Sequence, residues 1–268
     1  MKLSEIYQIA DGLAPKSISD EYCAKFGAYD NSGVLVDTGE EITGVLFSLD
    51  LTFAAIEKAI RTGANLIITH HPSIYGKISN IRAEDSSMLG KKFVRCIRQG
   101  ISVIAMHLNL DAAEGGTDAS LAQGVCNAAD TIQAETNIMH ALSCGGYGRA
   151  YGISEIALGN LAENLKEEFH TNRITVYGAL DKKIRRAASF CGAGVDEESI
   201  SFAIKEGADV IVSSDFKHHL LLLAHEANLA VIVLTHYASE NYGFEKYYLE
   251  IRQKLQIPCV YHTDEELL

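Results

Sequence analysis

AIRTGANLIITHH (59–71) and AIKEGADVIVSSD (203–215) repeat one pattern, and that repeat decides the fold. In each, a helical segment ends at a glycine, Gly63 or Gly207. A helix C-terminus favours a residue that accepts the left-handed conformation, and glycine does so without a Cβ penalty. The apolar run that follows, LIIT or VIVS, suits a buried parallel strand. The likeness extends both ways. Upstream, VLFSLDLT (45–52) and AASFCGAG (187–194) read as short strands leading into helices. Downstream, FVRCIRQGISVIAMH (93–107) and LLAHEANLAVIVLTH (222–236) each read as helix, turn, strand and a closing histidine. The unit is β-α-β-α-β, and the chain carries it twice. Strands and helices alternating at this length imply right-handed crossovers and a mainly parallel sheet in each copy. The expected architecture is α/β, with two similar three-layer halves at about 1–125 and 126–268.

A chain of 268 residues can bury one large core or two smaller ones. Its 47% apolar and 22% charged residues are ordinary for a globular protein. Its net charge of −12 speaks against a nucleic-acid backbone as the main partner, since phosphate contacts need clustered Lys and Arg. KKIRR (182–186) is a sparse basic cluster and reads as a solvated strand start. MKLSEIYQIADGLAPK (1–16) reads as an amphipathic helix with Leu3, Ile6, Ile9 and Leu13 on one stripe, so no secretory leader is expected. The apolar stretch LLLLAHEANLAVIVL (220–234) is broken by His225, Glu226 and Asn228, so no membrane span is expected. Six cysteines without a CxxC pair suggest reduced thiols and a cytoplasmic location.

The repeat gives weight to the histidines. Ligands of open α/β sheets collect beyond the carboxyl ends of the strands. His70 and His71 close one strand and His107 closes the next. In the second half, His236 closes the strand aligned with that of His107. Asp215, His218 and His219 lie past the strand aligned with that of His70. HLNLD (107–111) and HYASE (236–240) each carry a histidine four residues before an acid. Where the chain turns helical, such a pair shares a face. Imidazole nitrogen and carboxylate oxygen together are donors for zinc, iron, manganese or cobalt. Two carboxylates suggest more than one ion, because a carboxylate can bridge, and metals about 3.5–4 Å apart are a known arrangement for activating water.

Taken singly, these features are weak. A histidine at a strand end is more often structural than a ligand, and a lone HxxxD or HxxxE occurs by chance. Their recurrence at corresponding strand ends carries the expectation of a metal site. His140, His170, His225 and His262 share no such placement and are expected to be surface or packing residues. CGAG (191–194) either lets a backbone approach a phosphate at a helix N-terminus or is a tight strand-to-helix turn capped by Asp196.

THHP (69–72), NLD (109–111) following AMH, CGAG (191–194) and HYASE (236–240), with DNSGVLV (30–36) ahead of them, resemble the Nif-three-like family. That family is also catalogued as GTP cyclohydrolase I type 2 homologue, and the resemblance covers nearly the whole chain. It implies a duplicated α/β fold with a dinuclear metal site in the cleft between the halves, usually assembled as a toroidal homohexamer. Carried over by position, the metal ligands are expected to be His70, His71, Asp111, His236 and Glu240, with Glu240 bridging. They would hold two divalent ions per chain, Zn, Fe or Mn. His107 is expected beside them, touching substrate or moving a proton. Thr235, Ala193, Tyr29 and Ser32 stand where the family often has glycine, another small residue, tryptophan and valine. None of these removes an expected ligand, and they bear on substrate fit.

The implied function is metal-dependent hydrolysis of a nucleotide-like or phosphorylated small molecule. A water acidified by divalent ions would attack carbon or phosphorus, with His107 as the proton-transfer or orienting residue. The family name points to GTP ring opening, although no residue here independently reads out guanine. A metal-binding regulator or scaffold without turnover would use the same residues and is the alternative. A DNA-contacting regulator fits poorly with the acidic charge.

Overall fold

The computed structural model describes residues 1–76, 78, 80–84, 88–132 and 136–268. They form two compact units. The first holds Met1–Ala113 and Phe244–Thr263, the second Glu114–Gly243 and Asp264–Leu268. Relative to a divide at 125/126, residues 114–125 count with the second unit and residues 244–263 with the first.

The first unit contains α1 (Leu3–Leu13), α2 (Lys16–Phe26), β1 (Gly33–Val36), β2 (Val45–Ser48), α3 (Phe53–Thr62), β3 (Leu66–Thr69), α4 (Leu89–Arg98), β4 (Ser102–Ala105) and the short α5 (Leu108–Ala112). A last strand, β11 (Cys259–His262), returns from the end of the chain to pair with β2, which is why that segment belongs here. The sheet order is β1-β4-β3-β2-β11. β11, β2, β3 and β4 run parallel, with Val45 opposite Leu66 and Leu66 opposite Ser102. β1 runs antiparallel to β4, with Gly33 opposite Ala105. The residues just before β1 therefore lie at the same sheet edge as the residues just after β2, β3 and β4.

β2, β3 and β4 are buried along their full length, which explains their unbroken apolar runs: both sheet faces are covered. On one face Leu46, Ile67 and Val103 pack with Ile56 of α3 and with Phe93 and Cys96 of α4. Burying a side chain such as Phe93 contributes about 2–3 kcal/mol. α3 starts where Thr52 Oγ1 accepts from the Ala55 amide at 3.0 Å, and it stops at Gly63 with φ of 73°.

The second unit contains α6 (Thr117–Ala128), β5 (Thr136–Ala141), β6 (Gly146–Ala157), α7 (Leu158–Glu168), β7 (Thr175–Tyr177), β8 (Lys183–Ser189), α8 (Glu197–Lys205), β9 (Val210–Ser213), α9 (His218–Glu226) and β10 (Ala230–Val233). α10 (His236–Lys254) begins in this unit. The sheet order is β5-β6-β8-β9-β10-β7. β8, β9 and β10 are parallel, while β5, β6 and β7 join by antiparallel pairing. α6 packs on β6 and β8 of this sheet, which places it in this unit. α8 carries a capping box: Asp196 Oδ1 accepts from the Ser199 amide at 2.9 Å, and the Asp196 amide donates to Ser199 Oγ at 2.7 Å.

The duplicated unit is thus β2-α3-β3-α4-β4 and β8-α8-β9-α9-β10. Matching left-handed residues close its helices. Gly63 and Gly207 have φ of 73° and 68°, and Gly100 and Asn228 have φ of 64° and 57°. The register corrects one alignment. Ser102 faces Leu66 as Ala230 faces Val210, so the counterpart of His107 is Thr235 rather than His236. An unbroken apolar run has no alternation to pin its register, and the two sequences slip by one residue without visible cost. Among the described residues no helix is long and apolar enough to cross a membrane.

Candidate metal centre

Three histidines meet at one sheet edge of the first unit. His70 and His71 follow β3, and His107 follows β4. The His70 ring centroid lies 4.9 Å from that of His71 and 5.3 Å from that of His107, and the last two are 5.9 Å apart. One ring nitrogen from each lies within 4.8 Å of the others, a spacing that a single ion can span.

Each ring is held from behind. His70 Nδ1 donates to the Met106 carbonyl at 2.8 Å. A carbonyl only accepts, so Nδ1 carries the proton and the neutral ring keeps its lone pair on Nε2. His71 Nδ1 lies 2.8 Å from Asp50 Oδ1, and His107 Nδ1 lies 2.8 Å from Asp30 Oδ1. Carboxylates also accept, so the same tautomer follows for both rings. Asp50 reaches His71 because β2 ends beside β3, and Asp30 reaches His107 because β1 starts at this edge. Asp111, on α5, sets Oδ1 3.4 Å from His70 Nε2.

The Asp30 side chain is fully buried. It also accepts from Ser19 Oγ and Ser32 Oγ, both at 2.6 Å, and from the Ser32 amide at 3.2 Å. Burial alone would raise its pKa, but the hydrogen bonds from His107, Ser19 and Ser32 outweigh burial and hold the carboxyl well below the usual carboxylate range.

In the second unit α10 begins at His236, which puts Glu240 one turn later on the same face. His236 Nε2 lies 3.0 Å from Glu240 Oε2, and His236 Nδ1 lies 2.5 Å from Asp215 Oδ2. Asp215 follows β9 with φ of 51°. Here again one imidazole nitrogen is anchored by a carboxylate while the other looks toward a second carboxylate. Glu240 is buried, and the backbone of Gly192 lies against it. Gly192 has φ of 59°, and a Cβ there would stand 2.1 Å from Glu240 Oε1. Glycine is what gives this carboxylate its room. The donors of both units are imidazole nitrogens and carboxylate oxygens, the set that suits divalent first-row metals.

Residues 1–264 match the family model described as Duf34/NIF3 (NGG1p interacting factor 3). The chain belongs to this family. A Clostridium acetobutylicum relative named GTP cyclohydrolase 1 type 2 homolog is 31% identical over 244 residues, spanning 90% of this chain and 85% of the relative. Among solved structures, a Staphylococcus aureus hypothetical protein matches with a TM-score of 0.82 at 24% identity, covering 98% of this chain and 96% of that one. Reduced HcgD from Methanocaldococcus jannaschii matches with a TM-score of 0.79 at 26% identity, covering 97% of both chains.

In this Duf34/NIF3 chain the first unit gathers His70, His71, His107 and Asp111, and the second pairs His236 with Glu240. The HYASE expectation of a converging pair holds. The HLNLD expectation does not hold in the same form: Asp111 lies against His70, and His107 lies against Asp30. The reason is the one-residue offset of the repeat, which makes His107 the residue before α5 but His236 the first residue of α10. His218 and His219 start α9 and are exposed, with His219 Nε2 3.6 Å from Glu197. His225 is exposed and His140 pairs with Glu198 at 3.4 Å. Sequence reasoning missed Asp30 and Asp50 as imidazole anchors. Their one visible signal was position, at the start of DNSGVLV and just after the strand VLFS.

Proposed function

We propose that this Duf34/NIF3 protein is a metal-dependent hydrolase acting on a nucleotide-like or phosphorylated small molecule. In this reading His70, His71, Asp111, His236 and Glu240 would hold two divalent ions, Zn, Fe or Mn. The observation that carries it is the shared anchoring of the histidines. His70, His71, His107 and His236 each have Nδ1 against an oxygen acceptor, so Nε2 is the nitrogen offered outward. Oriented imidazoles of one tautomer are what a metal site requires of its surroundings.

When bound, the ions would supply Lewis acidity, which makes water nucleophilic at neutral pH and polarises a substrate oxygen. Asp50 and Asp215 hold the rings of His71 and His236 in place. Asp30, kept ionised by its hydrogen bonds, holds the His107 proton on Nδ1. His107 Nε2 is then the atom that takes a proton from the nucleophile and returns it to the leaving group. The curated relatives named GTP cyclohydrolase 1 type 2 homolog favour a nucleotide-like substrate. Six free cysteines support a cytoplasmic location, and the family resemblance supports a toroidal homohexamer.

The test is elemental analysis of the purified protein, together with a panel of nucleotides and phosphoesters assayed with Zn, Mn and Fe. Close to two ions per chain and metal-dependent turnover lost in Asp111→Asn are the expected results. Two ions with tight ligand binding and no turnover on any substrate would mean a metal-binding scaffold instead.

A further inference from the structure

We infer that the buried ion pair Asp118–Arg149 is a positioning device for Glu240, acting through the Cys191–Gly192 turn. The inference rests on the proposed metal-binding role of Glu240. Asp118, in the first turn of α6, has a fully buried side chain, and Arg149 of β6 lies beside it with Nε 2.9 Å from Asp118 Oδ2. Two buried charges are costly to remove from water, and buried ion pairs in general can often be replaced by apolar side chains with little loss of stability. What apolar side chains would lack is the set of bonds this pair makes to the backbone.

Asp118 Oδ1 accepts from the Cys191 amide at 3.3 Å, and Asp118 Oδ2 accepts from the Gly148 amide at 3.1 Å. Arg149 in turn donates to the Gly146 carbonyl at 3.1 Å. Tyr147, between those glycines, donates its hydroxyl to the Cys191 carbonyl. Cys191 is thus held at both its amide and its carbonyl. The next residue, Gly192, turns left-handed and is clasped from the other side. Its amide donates to Ser239 Oγ at 3.3 Å, and its carbonyl accepts from Ser214 Oγ at 2.6 Å. Cys191 Sγ donates to the Ser239 carbonyl at 3.3 Å. Ser239 directly precedes Glu240, and Gly192 lies against Glu240 Oε1.

The relay runs from the ion pair to the turn and from the turn to the carboxylate. Glu240 has a long, flexible side chain, and the Gly192 backbone forms a wall that limits where its oxygens sit. With the wall out of place, Glu240 keeps its helix position and loses its carboxylate position. Asp118 and Arg149 are positioning residues in this scheme.

The experiment compares wild type, Asp118→Asn and the double variant Asp118→Leu/Arg149→Met, which removes both charges at similar volume. In metal-free protein, iodoacetamide labelling is followed thiol by thiol by mass spectrometry. Cys144, which is exposed, serves as the internal rate reference, and the buried Cys96 and Cys126 report unfolding. Zinc affinity is then measured by competition with a chromophoric chelator, with Glu240→Ala as the reference for a lost ligand. The expected result is Cys191 labelling faster by about tenfold with Cys96 and Cys126 still protected, and zinc binding weaker by about 10–100-fold. Cys191 as protected as in wild type would overturn the inference, as would faster labelling with unchanged zinc affinity. Should the double variant label at Cys96 and Cys126 as well, Asp118→Asn decides by the same two readouts. A wild type that takes up no zinc overturns the metal reading itself, whereas equal zinc binding by wild type and variants overturns only the role of the pair.

Discussion

His107 Nδ1 and Asp30 Oδ1 stand 2.8 Å apart although 77 residues separate them in the chain. Antiparallel β1 makes this possible, because its start lies at the edge where β4 ends. Asp30 is ionised and held by donors on three residues, so its replacement leaves buried donors unsatisfied. Asp30→Ala is expected to cost about 1–3 kcal/mol at neutral pH. The sign of the pH dependence follows from the lowered pKa of Asp30 in the fold. A depressed folded-state value means stability that is present above the ordinary aspartate pKa of about 3.9 and lost as pH falls from there toward the folded value. Urea unfolding of metal-free wild type and Asp30→Ala should show a gap that is constant above about pH 5 and narrows below about pH 4. A gap of equal size at pH 7 and pH 3 would remove Asp30 from this account.

Asp50 offers a second test, because it touches the site without being an expected ligand. Its carboxylate fixes the His71 ring through Nδ1. Asp50→Ala keeps every proposed donor and frees one ring to rotate. Zinc affinity, read by chelator competition, is expected to fall about 10–100-fold. An unchanged affinity would show that the His71 ring needs no anchor, or that His71 is no ligand.

The parallel core was the legible part of the fold. LIIT and VIVS are buried on both faces, so their residues are apolar without interruption, and Gly63 and Gly207 mark the helix ends by a conformation other residues resist. Gly100 and Asn228 do the same job with different residues, and that difference is what let the third strand slip by one in the alignment. The antiparallel edges were far less legible. β1, β5 and β7 are half-buried or exposed and are defined by their neighbours, and β11 crosses to β2 from the far end of the chain. The same distinction applies to the site. Histidines at strand ends announce themselves by position, whereas Asp30, Asp50 and Asp118 take their roles from hydrogen bonds to residues 77, 21 and 73 positions away.

Removing metal should be visible in stability as well as in activity. Ions that bind only the folded chain stabilise it by about 2.7 kcal/mol at a free concentration one hundred times the dissociation constant. Exhaustive dialysis against a chelator is expected to lower the melting temperature, and added zinc or manganese should restore it in proportion to the logarithm of metal concentration. His71→Ala and Glu240→Ala should each blunt that recovery. A melting temperature indifferent to chelator and metal would contradict the metal-binding reading.

Gly192→Ala separates backbone strain from the site's own requirement for space. Alanine at a φ of 59° costs about 1–2 kcal/mol in stability, which a urea titration measures. Its methyl would also stand 2.1 Å from Glu240 Oε1, a distance no contact tolerates, so the carboxylate must swing aside. Strain alone leaves zinc affinity unchanged, while displacement of Glu240 lowers it by about tenfold or more. The two are told apart by adding Glu240→Asp, whose shorter side chain withdraws from the methyl. Gly192→Ala/Glu240→Asp should recover zinc affinity relative to Gly192→Ala while keeping the same loss of stability. If Glu240→Asp lowers affinity equally in both backgrounds, the space at Gly192 matters to the turn and has no bearing on Glu240.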